Sequence, residues 1–297
     1  MKLGGFVYHR PDTTEEAVAL LAEYGEDARV LAGGQSLLPL MTLRLTQPEH
    51  IVDVGRLPAK TAVDDRHDHV VVGLSATHAA VEASAVVADA APLVAQALPF
   101  VGHPAIRSRG TVCGSLAHAD PAAELPAVAL AAEAELVVRS TRGDRVIGAD
   151  EFFHGYLTTA LEPDELLIEV RFKRESDGAG TSVMEFSRRF GDFALVGLAT
   201  RLELDEEGSI SSARLAFFGV GGTPVRSLEA EALLQGARAD VAGFEEAASA
   251  VMSELDPLDD GQASSAYRRQ VAGVLTRRAL AEAHRNARRQ DCVETRT

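Results

Sequence analysis

Apolar positions recur at helical spacing in EEAVALLAEYG (15–25). The stretch is opened by Thr13-Thr14-Glu15-Glu16, a capping box with Thr13 facing Glu16, and closed by Gly25. Short apolar runs then alternate with turn residues. Arg29–Ala32, HIVDVG (50–55), VVVGLS (70–75), Glu135–Arg139 and Ile168–Lys173 predict strands, and Arg142-Gly143-Asp144 predicts a hairpin-like turn. Ser36–Leu45 predicts a brief helix ended by Pro48. An Ala-rich stretch to Leu98 predicts a long helical region, and Leu125–Ala132 another helix.

Beyond the polar ESDGAGT (175–181), which reads as a boundary, the pattern changes. Ser182–Arg189, Ala194–Leu204 and Ser209–Val220 predict three consecutive strands, with a turn at Asp205–Gly208 and a strand-ending turn at GVGG (219–222). Helices follow at Ser227–Leu234, Val241–Ser253 and Ser264–Arg285, and QDCVETRT (290–297) reads as a frayed tail. Strands followed by helices suggest an α+β unit, and 297 residues suffice for two domains.

Charge and cysteine usage narrow the chemistry. The formal net charge of −15 disfavours nucleic acid, whose binding rests on Lys and Arg, and is explained by solubility. Cys113 and Cys292 are far apart and outside any C-x-x-C pattern, which argues against a disulfide framework, a zinc site or an iron–sulfur cluster on this chain. No signal-peptide h-region and no run of 18 apolar residues occur, so a cytoplasmic protein is expected.

Two glycine-containing stretches carry the candidate chemistry. In LAGGQSLLP (31–39) a strand ends, Gly33-Gly34 permit a tight turn, and backbone N–H groups with Gln35 and Ser36 turn outward at a helix start. A plain strand–helix connector has the same look. In RGTVCGSLAHADP (109–121), Thr111 and Ser115 offer hydroxyls, Gly114 leaves room, and Asp120 could accept from a sugar hydroxyl or merely form an Asx-turn. Neither matches a G-x-G-x-x-G fingerprint or a P-loop, so the residues alone reach a phosphorylated ligand between two loops and no further.

Elsewhere the bland alternative wins. His67-Asp68-His69 makes a poor metal site, and Cys113 reads as a small buried filler. His118 reads as a structural hydrogen bonder and Phe193 as a core aromatic. Arg188, Arg189 and Asp192 flank a turn, and the run Arg268, Arg269, Arg277, Arg278 reads as a solvated helix face.

AGGQSLLPLM, RGTVCGSLAHADPAAELP, PDELL and SRRFGDFALVG together resemble the FAD-binding medium subunits of molybdenum-containing hydroxylases. These include bacterial carbon monoxide dehydrogenase, aromatic N-heterocycle hydroxylases and the middle module of xanthine dehydrogenase. The resemblance implies a two-part FAD domain of the vanillyl-alcohol-oxidase (PCMH) type over 1–176, a small α+β C-terminal flavoprotein domain over 177–290 and a tail at 291–297. It implies non-covalent FAD held by Ala32, Gly33, Gly34, Gln35 and Ser36 with Leu37 behind. Thr111, Val112, Cys113, Gly114 and Ser115 would form the second loop, with Asp120 and Glu124 near the ligand and Leu167 packing near the ring system. No residue would act as acid, base or nucleophile. Electrons would come from [2Fe–2S] clusters on a small subunit, the molybdenum cofactor would sit on a large one, and two copies of each would form a heterohexamer. Gln35 replaces a frequent His and Cys113 a glycine, and many relatives carry a Lys near Glu185. An autonomous FAD oxidoreductase and a cofactor-free scaffold are the competing functions.

Overall fold

A computed structural model describes residues 3–57, 63–176 and 178–294; side chains are described as far as Arg288. The chain begins with β1 (Val7–His9), α1 (Thr14–Tyr24), β2 (Ala28–Leu31), α2 (Leu37–Thr42) and β3 (His50–Asp53). The three strands form a parallel sheet in the order β1-β3-β2, so each return needs a crossover, which α1 supplies between β1 and β2 and α2 between β2 and β3. Thr13 caps α1 by accepting Glu16 N (3.1 Å), while the Glu16 carboxylate reaches back to Asp12 N (2.7 Å), one residue before the cap. Ala17, Val18 and Leu21 of α1 pack on Val52 and Ala28, which joins helix to sheet.

A second layer follows: β4 (Val63–Asp65), β5 (His69–Gly73), α3 (His78–Glu82), α4 (Ala85–Ala90), α5 (Pro92–Ala97), α6 (Pro104–Arg107), α7 (Val112–His118) and α8 (Glu124–Ala131). Then come β6 (Glu135–Ser140), β7 (Gly143–Gly148), α9 (Ala149–Phe152), the small β8 (Phe153–Gly155) and β9 (Thr158–Thr159) pair, and β10 (Leu166–Lys173). Five of these strands form an antiparallel sheet, β4-β5-β10-β6-β7.

Two expectations are corrected here. The Ala-rich stretch is three short helices, because Ser84 starts a new one by accepting Val87 N and Pro92 starts the next. The hairpin turns at Thr141-Arg142, and Gly143 and Asp144 already belong to β7.

The third part is an antiparallel sheet of β11 (Ala179–Phe186), β12 (Val196–Leu204), β13 (Ile210–Phe218) and β14 (Val225–Arg226), in that order. It is backed by α10 (Leu228–Leu234), α11 (Val241–Glu254) and α12 (Ser265–Glu294). Helix α12 runs on through most of the expected frayed tail; residues 295–297 lie outside the described ones. Leu198, Leu202, Leu215 and Phe217 face these helices, while Ala199, Ala216 and Phe218 face the other way, as the period of two in a strand requires. That other face is covered by α8, whose residues are buried except Leu130; a helix apolar all round belongs inside a protein. One core therefore continues from the five-stranded layer through α5 and α8 into the four-stranded sheet. No helix among the described residues is long and apolar enough to cross a membrane.

Candidate functional site

The two glycine stretches touch. Gly33 follows β2, and a Cβ placed on it would lie 2.1 Å from the Arg109 carbonyl oxygen and 2.7 Å from Gly110 Cα. The backbones of the two stretches are thus packed face to face, an approach only glycine allows. A side chain at Gly114 would begin 3.5 Å from the Ala32 methyl, so the contact continues one turn further. Gly34 has φ of 72°, which turns the chain from β2 into α2.

Ser36 sits at the N-cap of α2 without making a cap hydrogen bond, which leaves its hydroxyl free. Gln35 instead folds back, its Nε2 donating to Gly33 O (3.2 Å). Ala32 to Leu37 are all half-buried, as expected of a cleft wall and not of a core.

The second stretch is not a loop. Thr111 caps α7, its hydroxyl accepting Gly114 N (3.1 Å), and Ala119 closes the helix at φ 51°. Val112, Cys113 and Leu116 point into the core, while Gly114, Ser115, Ala117 and His118 form a half-exposed face of small and polar residues. Glycine and alanine misled the reading of this segment as loop; their helical spacing only becomes visible with the buried triad at 112, 113 and 116.

This placement changes what individual residues can offer. Val112, Cys113 and Leu167 are almost fully buried, so a ligand in the cleft could meet their backbone only, and the Thr111 hydroxyl is committed to its helix. Ser115 faces the open side of α7. Asp120 accepts Ala122 N through Oδ1 (2.9 Å), the Asx-turn alternative, which leaves Oδ2 for other partners.

His118 is held below the usual histidine range by burial, with Asp120 opposing. His78 supports the second stretch from behind, its backbone N–H donating to Gly110 O (2.8 Å). The His78 ring is buried with neither nitrogen partnered, and burial pushes it down to about 4, so it is a neutral packing group. Glu124, at the first turn of α8, is pushed up to about 8 by burial, and Glu185 on β11 up to about 7 for the same reason.

The remaining candidates divide. Arg268 is 5 % exposed, so it is not the solvated face its neighbours suggest, whereas Arg277 and Arg278 are exposed. Phe193, expected in the core, is 64 % exposed beside exposed Phe190, Arg188 and Arg189. His69 pairs with Asp68 (3.0 Å), and no group of three or more potential metal ligands occurs among the described residues. Two surface concavities lie elsewhere. One of about 380 Å³ is lined by Met184, Arg277, Arg278, Ala281, Glu282 and Arg285, and one of about 530 Å³ lies beside β1 and α1.

Cys113 has a negative φ inside α7, which is the condition for a cysteine replacing glycine there. Burial pushes its thiol up to about 12. Alkylation of the native protein at about neutral pH is therefore expected to leave the Cys113 peptide unmodified, and alkylation after denaturation to label it, as read by mass spectrometry.

Residues 3–172 match the FAD binding domain in molybdopterin dehydrogenase, and residues 181–283 match the CO dehydrogenase flavoprotein C-terminal domain. The chain belongs to this flavoprotein family. It is 38% identical over 288 residues to the 6-hydroxypseudooxynicotine dehydrogenase complex subunit alpha of Paenarthrobacter nicotinovorans, covering 97% of each chain. It is 34% identical over 275 residues to the carbon monoxide dehydrogenase medium chain of Hydrogenophaga pseudoflava, covering 93% of this chain and 96% of the relative. A solved carbon monoxide dehydrogenase from the latter organism superposes with a TM-score of 0.92 at 36% identity, over 95% of this chain and 98% of that one. The family's flavoprotein fold, α+β with a C-terminal domain of its own, is the fold expected from the sequence. FAD is the cofactor of this family's N-terminal domain, and the donors offered by the Gly33-Gly34 turn and the half-exposed face of α7 fit such a ligand. A free Ser36 hydroxyl and free Ser115 stand with glycines that bring two backbones together.

Proposed function

We propose that this chain holds FAD non-covalently between these two stretches and serves as the electron-transfer subunit of a molybdenum hydroxylase. The observation that supports it best is the backbone contact of Gly33 with Arg109 and Gly110, which brings the two separate stretches side by side. Ala32, Gly33, Gly34, Gln35, Ser36 and Leu37 would line one side. Gly114, Ser115 and Asp120 would line the other with the backbone of Thr111, Val112 and Cys113. Glu124 lies at the foot of α8, and Leu167 stands behind the site in the core. Bound FAD accepts electrons one at a time and can pass them on as a pair. The protein's part is to bind and orient it, and no side chain need act as acid, base or nucleophile.

Electrons would arrive from [2Fe–2S] clusters of a small partner subunit, with the molybdenum cofactor on a large one. We place the division between FAD-binding and C-terminal domains at 176/177, the complex as two copies each of three subunits, and its location in the cytoplasm. Relatives named for carbon monoxide, caffeine and nicotine chemistry carry similar medium subunits, which favours a substrate choice made on another chain.

The visible spectrum of the complex purified from its native host, with nucleotide analysis after denaturation, tests the reading. Flavin and iron–sulfur absorption together with two co-purifying subunits are expected. Flavin with turnover by this chain alone would favour an autonomous oxidoreductase, and a colourless chain in an intact complex a scaffold.

A further inference from the structure

Glu124 and Glu185 approach from opposite sides of the seam between the five-stranded layer and the C-terminal sheet, and their carboxyl groups come within hydrogen-bonding reach. Glu124 opens the buried helix α8 and is 5 % exposed. Glu185 stands opposite Gly197 on β12, which stands opposite Phe218 on β13. Residues directly opposite in a ladder share a face, and this row lies on the face that α8 covers. The Phe218 ring fills the space over Gly197, where a Cβ would meet it at 1.9 Å, so Glu185 has an aromatic wall beside it. The Oε2 atom of Glu185 is buried and receives no hydrogen bond from any N–H or hydroxyl among the described residues.

Ionised carboxylates have only acceptors to offer, so a contact between two of them needs a proton. Among the described residues, no cation acts on either group. The groups acting on Glu124 are Asp120 and Glu185, both acidic, and those acting on Glu185 are Glu124 and the Ser187 hydroxyl. Charged groups on the neighbouring elements are engaged elsewhere. His118 of α7 faces Asp120, Arg214 of β13 pairs with Glu133, and Arg226 of β14 pairs with Glu231. Arg268 of α12 is bound to Leu195 O, Gly219 O and Asp260. Arg277, Arg278, Glu282 and Arg285 of α12 gather beside Met184, on the opposite face of β11. Asp150 of α9 is a further acid that acts on Arg226.

We propose that Glu124 and Glu185 share a single proton and form a latch that holds the seam beside the FAD cleft closed, and that loss of this proton at alkaline pH releases it. The part concerning FAD rests on the reading given above. Burial raises both groups, so the pair titrates together at and just above neutrality and not in the ordinary carboxylate range. Since the folded protein then binds more protons than the unfolded chain between about pH 4.5 and about pH 8, stability must fall as pH rises through that window. Once the proton is gone, two charges face each other with no cation between them.

The test compares wild type, Glu124→Gln and Glu185→Gln holoprotein. Infrared difference spectra between about pH 6 and about pH 9 read the carboxylic-acid carbonyl band. In the wild type a band that titrates in this range is expected. Each single variant is expected to lose it, because the new amide donates to the remaining carboxylate. A band surviving in either variant, or none in the wild type, overturns the shared proton.

FAD affinity of the wild type is expected to drop about tenfold between about pH 6 and about pH 9, and that of Glu185→Gln to change less than about twofold. FAD bound equally well at both pH values by the wild type would overturn the latch and leave the FAD reading standing. A chain that binds FAD at neither pH would overturn that reading, while the infrared band still decides the proton. Thermal unfolding at about pH 6, where wild type and variants are expected to match, separates a local effect from misfolding.

Discussion

Gly33→Ala is expected to lower the unfolding midpoint by about 6–10 °C and to strip the protein of FAD. The added methyl would sit 2.1 Å from Arg109 O and 2.7 Å from both Arg109 C and Gly110 Cα, and all three are backbone atoms. No rotamer change can relieve such a clash, so the strand end and the segment leading into α7 must move apart. Overpacking of this kind costs about 3 kcal/mol, the upper end of its usual range. Separation also pulls the two walls of the cleft out of register, which is why cofactor retention and stability should fall together.

Gly34→Ala provides the contrast. Its φ of 72° strains any other residue, but the nearest atoms are the movable ends of Leu38 and Leu31 at 3.0 and 3.2 Å. A cost of about 1–2 kcal/mol is expected there. Gly5→Ala, with nothing within 4 Å, should be silent. Differential scanning calorimetry of the three variants with a flavin assay of each checks this order. A Gly33→Ala protein as stable as Gly5→Ala would mean that the two stretches do not pack backbone to backbone.

Some of this geometry could be read from the chain itself. The capping box at Thr13 and the strands flanking turn residues express local rules, and each rests on residues close in sequence. What escaped the sequence depends on partners far along it. The helix α7 is hard to read from the sequence because Gly114 stands in its middle and glycine is a poor helix former. What fixes it is the fit of Val112, Cys113 and Leu116 against a core contributed by β5, β10 and α8. The Ala-rich stretch shows the converse error, since uniform propensity hid the Ser84 and Pro92 starts that divide it. Phe193 reads as a core aromatic in the sequence, with stacking on a flavin face the alternative, but its turn places it outside the core. Nor does anything local to Glu124 announce Glu185, 61 positions later; their meeting depends on α8 docking against the C-terminal sheet.

Arg268 is the strongest case of a residue whose neighbours in sequence mislead. It lies in a run with Arg269 near the start of α12, yet its guanidinium is buried and donates to the carbonyls of Leu195 and, at 2.8 Å, Gly219. A further N–H reaches Asp260 at 2.6 Å. Gly219 N in turn donates to Pro121 O (2.8 Å), so the arginine fastens α12 to the strand ends that also meet the segment before α8.

Arg268→Met is therefore expected to cost about 3 kcal/mol, because two carbonyls lose a charged donor and no water replaces it. Asp260→Asn should cost less than about 1 kcal/mol, since that carboxylate is half-exposed and its partnership is screened. Arg268→Lys should recover less than half of the loss, because one ammonium cannot span the fork that reaches two carbonyls and an acid. Chemical denaturation of the three variants measures these differences. Arg268→Met matching Asp260→Asn would place the guanidinium in solvent. The larger loss ties the seat of α12 to the same seam that Glu124 and Glu185 close, so the variant should also hold FAD less tightly without touching the cleft.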